Sequence, residues 1–218
     1  MIYHKQKYRS EENLGRMKYD MKTRKLLNIF MAIVVLYAWG SMFLGLSQEA
    51  LAARGLVSLR YFTILSNLLE AFACVVWLIN GNEKIKYIAA VSVSVTFIVV
   101  MVFLGPLFGY AAMFYGVSFW LHGVVPLCAI FEFLFCNRTK FSQKDSLLAS
   151  LPMMIYGLFY VGNILINGVG EWPHTNDWYG FMSWGYPIGF AIYFFISFAT
   201  WAFALFLKKA NEAIIKRI

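Results

Sequence analysis

Along the chain, apolar residues gather into six runs of roughly twenty, the length a helix needs to cross a bilayer core of about 30 Å. The runs are approximately Leu27–Leu46, Leu59–Asn80, Tyr87–Leu107, Tyr115–Cys136, Leu147–Ile166 and Tyr186–Leu207. None shows the alternation of a barrel strand, and a backbone in lipid must satisfy its own hydrogen bonds, so each run predicts a helix. Short connections predict antiparallel neighbours. The expected fold is all-α: a polytopic membrane protein whose residues 27–207 form a bundle of six transmembrane helices. A basic segment, 1–26, precedes it and a basic tail, 208–218, follows.

The polar positions inside the runs carry the information about function, because each is costly to place in lipid. The second run opens Leu59-Arg60-Tyr61-Phe62-Thr63-Ile64-Leu65-Ser66-Asn67-Leu68-Leu69-Glu70. At about 100° per residue, Arg60, Thr63, Asn67 and Glu70 fall within an arc of roughly 80°, with Ser66 beside it. One such residue is ordinary interhelical glue. Four on one face point to a polar cavity. The fourth run, Ser118-Phe-Trp-Leu-His122-Gly-Val-Val-Pro126, holds the one histidine within these runs. Pro126 has no N–H to give the His122 carbonyl, which opens the helix there. By helix rise Thr63 lies about 6–8 Å, and His122 about 10 Å, below the same edge of the bilayer, so the two can meet.

Composition removes the soluble alternatives. The 218 residues are 61% hydrophobic, 19% aromatic and 14% charged, against about 25% charged in soluble domains. The net charge of +8 would suit nucleic acid, but its placement suits a membrane. Seventeen of the nineteen Lys and Arg residues fall on the side of the termini, and only Arg54 and Arg60 on the other. The positive-inside rule then puts both termini in the cytoplasm, with Thr63 and His122 near the outer leaflet of the cell membrane. Cys74, Cys128 and Cys136 all lie within runs and the histidines lack ligand spacing, so no metal or other cofactor is expected.

A Thr hydroxyl becomes a nucleophile when an adjacent base takes its proton, and His is the usual base near neutral pH. At this depth the pair suits an ester whose acyl chains lie in lipid. Arg60 can hold an anionic head group, Asn67 or Ser66 can donate to an oxyanion, and Ser66 is a rival nucleophile. Asn163, near the same edge of the fifth run, can line the same cavity. The loop 167–184 contains Glu171, Trp172, Pro173, His174, Asp177, Trp178 and Tyr179. Its aromatics read most simply as an interfacial belt; as a lid, the loop could bring His174 in as the base. Glu132 lies about 15 Å deeper than His122 and is no direct partner for it.

The run Arg60-Tyr-Phe-Thr63-Ile-Leu-Ser66-Asn67 and the later His122-x-x-x-Pro126 resemble the androgen-induced gene 1 / androgen-dependent TFPI-regulating protein family. The six-span plan is similar too, so the resemblance covers most of residues 27–207. It implies an atypical membrane hydrolase acting on fatty acid esters of hydroxy fatty acids, with Thr63 and His122 as the essential pair. The chain departs from the eukaryotic pattern at Leu121 and Gly123, where further polar residues are the rule. The expected function is therefore a threonine-dependent membrane lipid esterase, or an acyltransferase of the same mechanism, with a bilayer acyl ester as substrate. The alternative is a small transporter or sensor whose ligand path runs along the Arg60–Glu70 stripe. That path would need polar residues through the whole thickness, and the third and sixth runs offer little beyond Ser92, Ser94, Thr96, Ser197 and Thr200.

Overall fold

The computed structural model describes residues 2–47, 54–171 and 174–216, with side chains from residue 21 onward. Trp172 and Pro173 lie outside the described residues. Six helices are long and apolar enough to cross a membrane, and no strand occurs among the described residues. We label them α1 (Ile2–Phe43, its apolar part Met21–Phe43), α2 (Phe62–Asn80), α3 (Glu83–Phe108), α4 (Val117–Cys136), α5 (Gln143–Asn167) and α6 (Tyr186–Ile215). They agree with the expected runs to within a few residues, except that α1 extends N-terminally and α6 runs on to Ile215.

Local chemistry sets the boundaries. Gly81 ends α2 in the left-handed region (φ 69°), and the Asn82 side chain accepts from Ile85 N to start α3 two residues later. Ser142 and Asp145 form a capping box at the start of α5. Within α3 and α4, π-helical turns interrupt the α-helix at Val100–Leu104, Trp120–Val124 and Glu132–Cys136. The first two directly precede Pro106 and Pro126, whose missing N–H groups break the regular ladder.

Helix α3 is central, with eight consecutive residues, Ala89–Thr96, buried on every face. Its Ala89, Ala90, Ser92 and Ser94 let neighbours approach closely, as small residues do between membrane helices. Below them Tyr87 is wholly buried between Phe133 (4.9 Å) and Phe141 (4.5 Å). Its hydroxyl donates to Ala204 O (2.6 Å) and meets Ser146 Oγ (2.9 Å). One residue thus joins α3, α4, α5 and α6. Asn211 of α6 donates to the carbonyls of Phe133, Leu134 and Asn137, acceptors at the end of α4 that the last π-helical turn leaves open.

Arg24 and Lys86 are among the basic residues counted on the side of the termini. Both are buried. Arg24 pairs with Glu132 and, through both terminal nitrogens (2.7 and 2.5 Å), with Glu83. Lys86 pairs with Glu70 and with Glu132 Oε2 (3.2 Å). The long apolar stems follow the helix surfaces inward, and the carboxylates facing them from α2 and α4 hold the charged ends in the bundle instead of letting them reach the interface.

Gly157 marks a tight contact of α5 with α6, since a Cβ there would lie 1.9 Å from a Tyr193 ring carbon. Gly157→Ala is therefore expected to lower stability by about 1–3 kcal/mol through overpacking. A drop in the unfolding midpoint of the detergent-solubilised protein checks this.

Candidate functional site

Thr63 occupies the first turn of α2, and His122 the centre of the π-helical turn of α4. Thr63 Oγ1 lies 3.3 Å from His122 Nε2. His122 Nδ1 is 2.6 Å from Met113 O. A carbonyl oxygen only accepts, so Nδ1 carries the proton of the neutral ring and Nε2 is left to accept from the Thr63 hydroxyl. The Met113 carbonyl thus fixes tautomer and ring orientation, the task a third group performs in catalytic triads. The Thr63–His122 distance is slightly longer than a tight catalytic hydrogen bond and falls in the range of sites without substrate.

Met113 reaches His122 because the α3–α4 connection folds back. A helical turn, Tyr110–Met113, sits between Gly109 (φ 90°) and Gly116 (φ 57°), both in conformations that favour glycine. Phe114 then packs edge-on to the imidazole, with centroids 6.4 Å apart.

Around the pair, the other sequence candidates take different parts from those expected. Asn67 Nδ2 donates to Thr63 O (2.7 Å) and Leu121 O (3.1 Å), tying the backbone of the threonine to that beside the histidine. Both its N–H groups are spent, so Asn67 is a clamp and not an oxyanion donor. Ser66 donates to Thr63 O (3.1 Å) and pairs with Thr96 Oγ1 (2.9 Å), away from His122. This burial in a hydrogen-bonded pair leaves Ser66 a poor rival nucleophile. Asn163 does not line the cavity. It donates to Asn176 (3.1 Å) and accepts from Asn167 (2.8 Å), anchoring the following loop. His174 is exposed in that loop, and Thr63 faces His122 instead. Glu132 is taken by Arg24 and Lys86, in line with its greater depth.

Arg60 stands at the rim. Its guanidinium lies over the rings of Tyr61 (5.0 Å) and Trp178 (5.6 Å) and donates to Tyr61 OH (2.8 Å). Its Nε has no hydrogen-bond partner among the described residues. The loop aromatics form more than an interfacial belt, because they close over the start of α2. Phe62 N, one of the unpaired donors of the first helical turn, donates to Tyr179 OH (2.7 Å). Tyr156 OH donates to Arg60 O (2.7 Å) and accepts from Trp178 Nε1 (2.9 Å). Packing against Phe181, Tyr160 and Tyr61 strips water from the Tyr179 phenol and pushes its pKa up to about 12. It stays a neutral hydrogen-bonding group throughout the physiological range.

Beneath this cover lies a narrow, partly open cleft of about 30 Å³, into which Thr63 faces. Its walls include Phe62, Val99, Leu104, Tyr156, Tyr179 and Phe181. That space suits a reacting group or a few waters, not a whole ligand. No protein-family model, curated protein or solved structure matches the chain.

Proposed function

We propose that the protein is an integral membrane lipid esterase with Thr63 as nucleophile and His122 as general base and acid. The observation that carries this reading is the aligned set Thr63 Oγ1, His122 Nε2 and, behind it, Nδ1 held by the Met113 carbonyl. Nothing in an ordinary helix contact requires a base in the correct tautomer opposite a hydroxyl that faces an apolar cleft.

Nε2 accepts the Thr63 proton as Oγ1 attacks the ester carbonyl. Negative charge then develops on the carbonyl oxygen near the N-terminal end of α2, where the helix dipole favours it. Collapse of the tetrahedral intermediate breaks the bond to the alcohol, which leaves with the proton from Nε2. Water, deprotonated by the regenerated base, then cleaves the acyl-threonine and returns the fatty acid. An alcohol in place of that water makes the same site an acyltransferase. The substrate class is an acyl ester drawn from the bilayer, of which fatty acid esters of hydroxy fatty acids are the leading case by resemblance. Arg60 at the rim suits an anionic head group. With both termini cytoplasmic, the site faces the outer leaflet of the cell membrane.

The transporter or sensor reading draws on the polar groups that continue down α2 to Glu70. There, however, Lys86 occupies the carboxylate, which ends the stripe in an ion pair instead of an open path.

Labelling of the purified protein with a fluorophosphonate hydrolase probe tests the proposal. The wild type and Ser66→Ala are expected to label to within about threefold of each other, whereas Thr63→Ala and His122→Ala do not label. Labelling that persists in Thr63→Ala, or disappears only in Ser66→Ala, removes Thr63 from the role of nucleophile.

A further inference from the structure

The Thr63 cleft does not end at its own walls. Val95, Val99 and Ile196 line it on one side, and the same three residues line a second space between α3 and α6. This second space is a groove of about 380 Å³ along the outside of the bundle. On α6 it extends from Ile188 to Phe203, about 22 Å at 1.5 Å per residue. That exceeds the depth of one leaflet, about half of the ~30 Å hydrocarbon core. Both helices are spanning segments, so the groove lies within the depth of the hydrocarbon.

Its chemistry restricts what can occupy it. The lining is aliphatic and aromatic apart from Thr200, whose hydroxyl is already donated to Ile196 O (2.7 Å). No charged or hydrogen-bonding group is left to hold a head group, an ion or a peptide backbone. Its outer side is open, with Val102 73% and Phe195 71% exposed. A flexible hydrocarbon chain meets all of these conditions at once.

Building on the esterase reading, we infer that the α3–α6 groove holds the acyl chain of the ester that Thr63 attacks. The chain slides in sideways from the bilayer and crosses the Val95–Val99–Ile196 threshold with its carbonyl end leading. The cleft takes the reacting ester and the groove takes the tail. Chain-length preference then resides in α6 residues outside the Thr63 cleft, with Ala191 and Ala199 leaving room for the chain.

The test compares p-nitrophenyl butyrate with p-nitrophenyl palmitate, and follows photolabelling by a diazirine-bearing palmitic acid, in detergent-solubilised full-length protein. Ala199→Trp fills the groove from a position outside the cleft. The ratio of kcat/KM for palmitate to that for butyrate is expected to fall about tenfold or more. Photolabelling of residues 188–203, competed by unlabelled palmitate in the wild type, is expected to fall with it. Phe198→Trp, on the exposed face of α6 beside the groove, leaves both unchanged. Should Ala199→Trp lower the unfolding midpoint, Ala191→Leu makes the same comparison with less added bulk. An unchanged ratio in a folded variant, an equal loss of both esters, or labelling that unlabelled palmitate does not compete overturns the inference, the groove then being a plain lipid-facing surface or a contact for another helix. If the wild type hydrolyses neither ester while competed labelling persists and falls in Ala199→Trp, it is the esterase reading that fails, and the groove remains an acyl site.

Discussion

Thr63→Ala is expected to lower ester hydrolysis at least about 10³-fold, a loss of about 4 kcal/mol in transition-state stabilisation, with no matching loss of fold. The variant removes Oγ1, the atom of Thr63 that faces His122 Nε2. The clamps from Ser66 and Asn67 bind the Thr63 carbonyl and survive the change. Thr63→Ser keeps a hydroxyl at the same place and should recover a measurable part of the rate. His122→Ala should match Thr63→Ala, and the double variant should be little worse than either, because residues that act as a unit are not additive. Rates on a p-nitrophenyl ester, measured beside the unfolding midpoint of each variant, check all of these. A Thr63→Ala protein with full turnover would end the proposal.

The largest effect on stability is expected at Glu132. This buried carboxylate accepts from Arg24 and from Lys86, and Lys86 also holds Glu70. Two cations and two carboxylates, each with at most 6% of its side chain exposed, balance one another inside the bundle. Glu132→Ala leaves two buried cations sharing Glu70 and the half-buried Glu83. The expected cost is about 3–5 kcal/mol, the range for breaking a buried pair by removing one partner. Lys86→Met should destabilise as well, since it leaves the buried Glu70 carboxyl without its cation. Adding Glu70→Met should recover much of that loss, because an apolar pair of similar volume removes both desolvation penalties. Unfolding midpoints of the single and double variants in detergent measure the coupling. Additive losses would show that Lys86 and Glu70 do not depend on one another.

The two clusters show how far the sequence reaches. Thr63 and His122 are legible because three one-dimensional signals agree: a polar face on α2, a lone histidine near a proline on α4, and equal depth by helix rise. Those signals allow the two to meet, and helix packing brings them into contact. The Met113 carbonyl carries no such signal. It faces His122 only because Gly109 and Gly116 turn the chain back between α3 and α4, and every residue has a carbonyl to offer. Asn67 illustrates the opposite limit. Its place on the polar face is visible, but its work is not, since whether its amide serves a substrate or the backbone depends on how closely the Leu121 carbonyl approaches. Arg24 and Lys86 are legible as charges near helix ends, a position from which long basic side chains usually reach water. Their burial depends on Glu132 and Glu70, which stand on other helices.

The sequence by itself determines the six apolar helices, their order and the depth of each polar residue. These follow from the hydropathy and length of single segments, each of which must satisfy its own backbone in lipid whatever its neighbours do. Tertiary structure alone decides which polar groups face one another, because that depends on the rotation of each helix about its axis. A π-helical turn such as Trp120–Val124 inserts one residue into that rotation and redirects the side chains around it. The Thr63–His122–Met113 alignment, the four-charge cluster and the groove between α3 and α6 all arise at this level, where contacts between distant residues set the geometry.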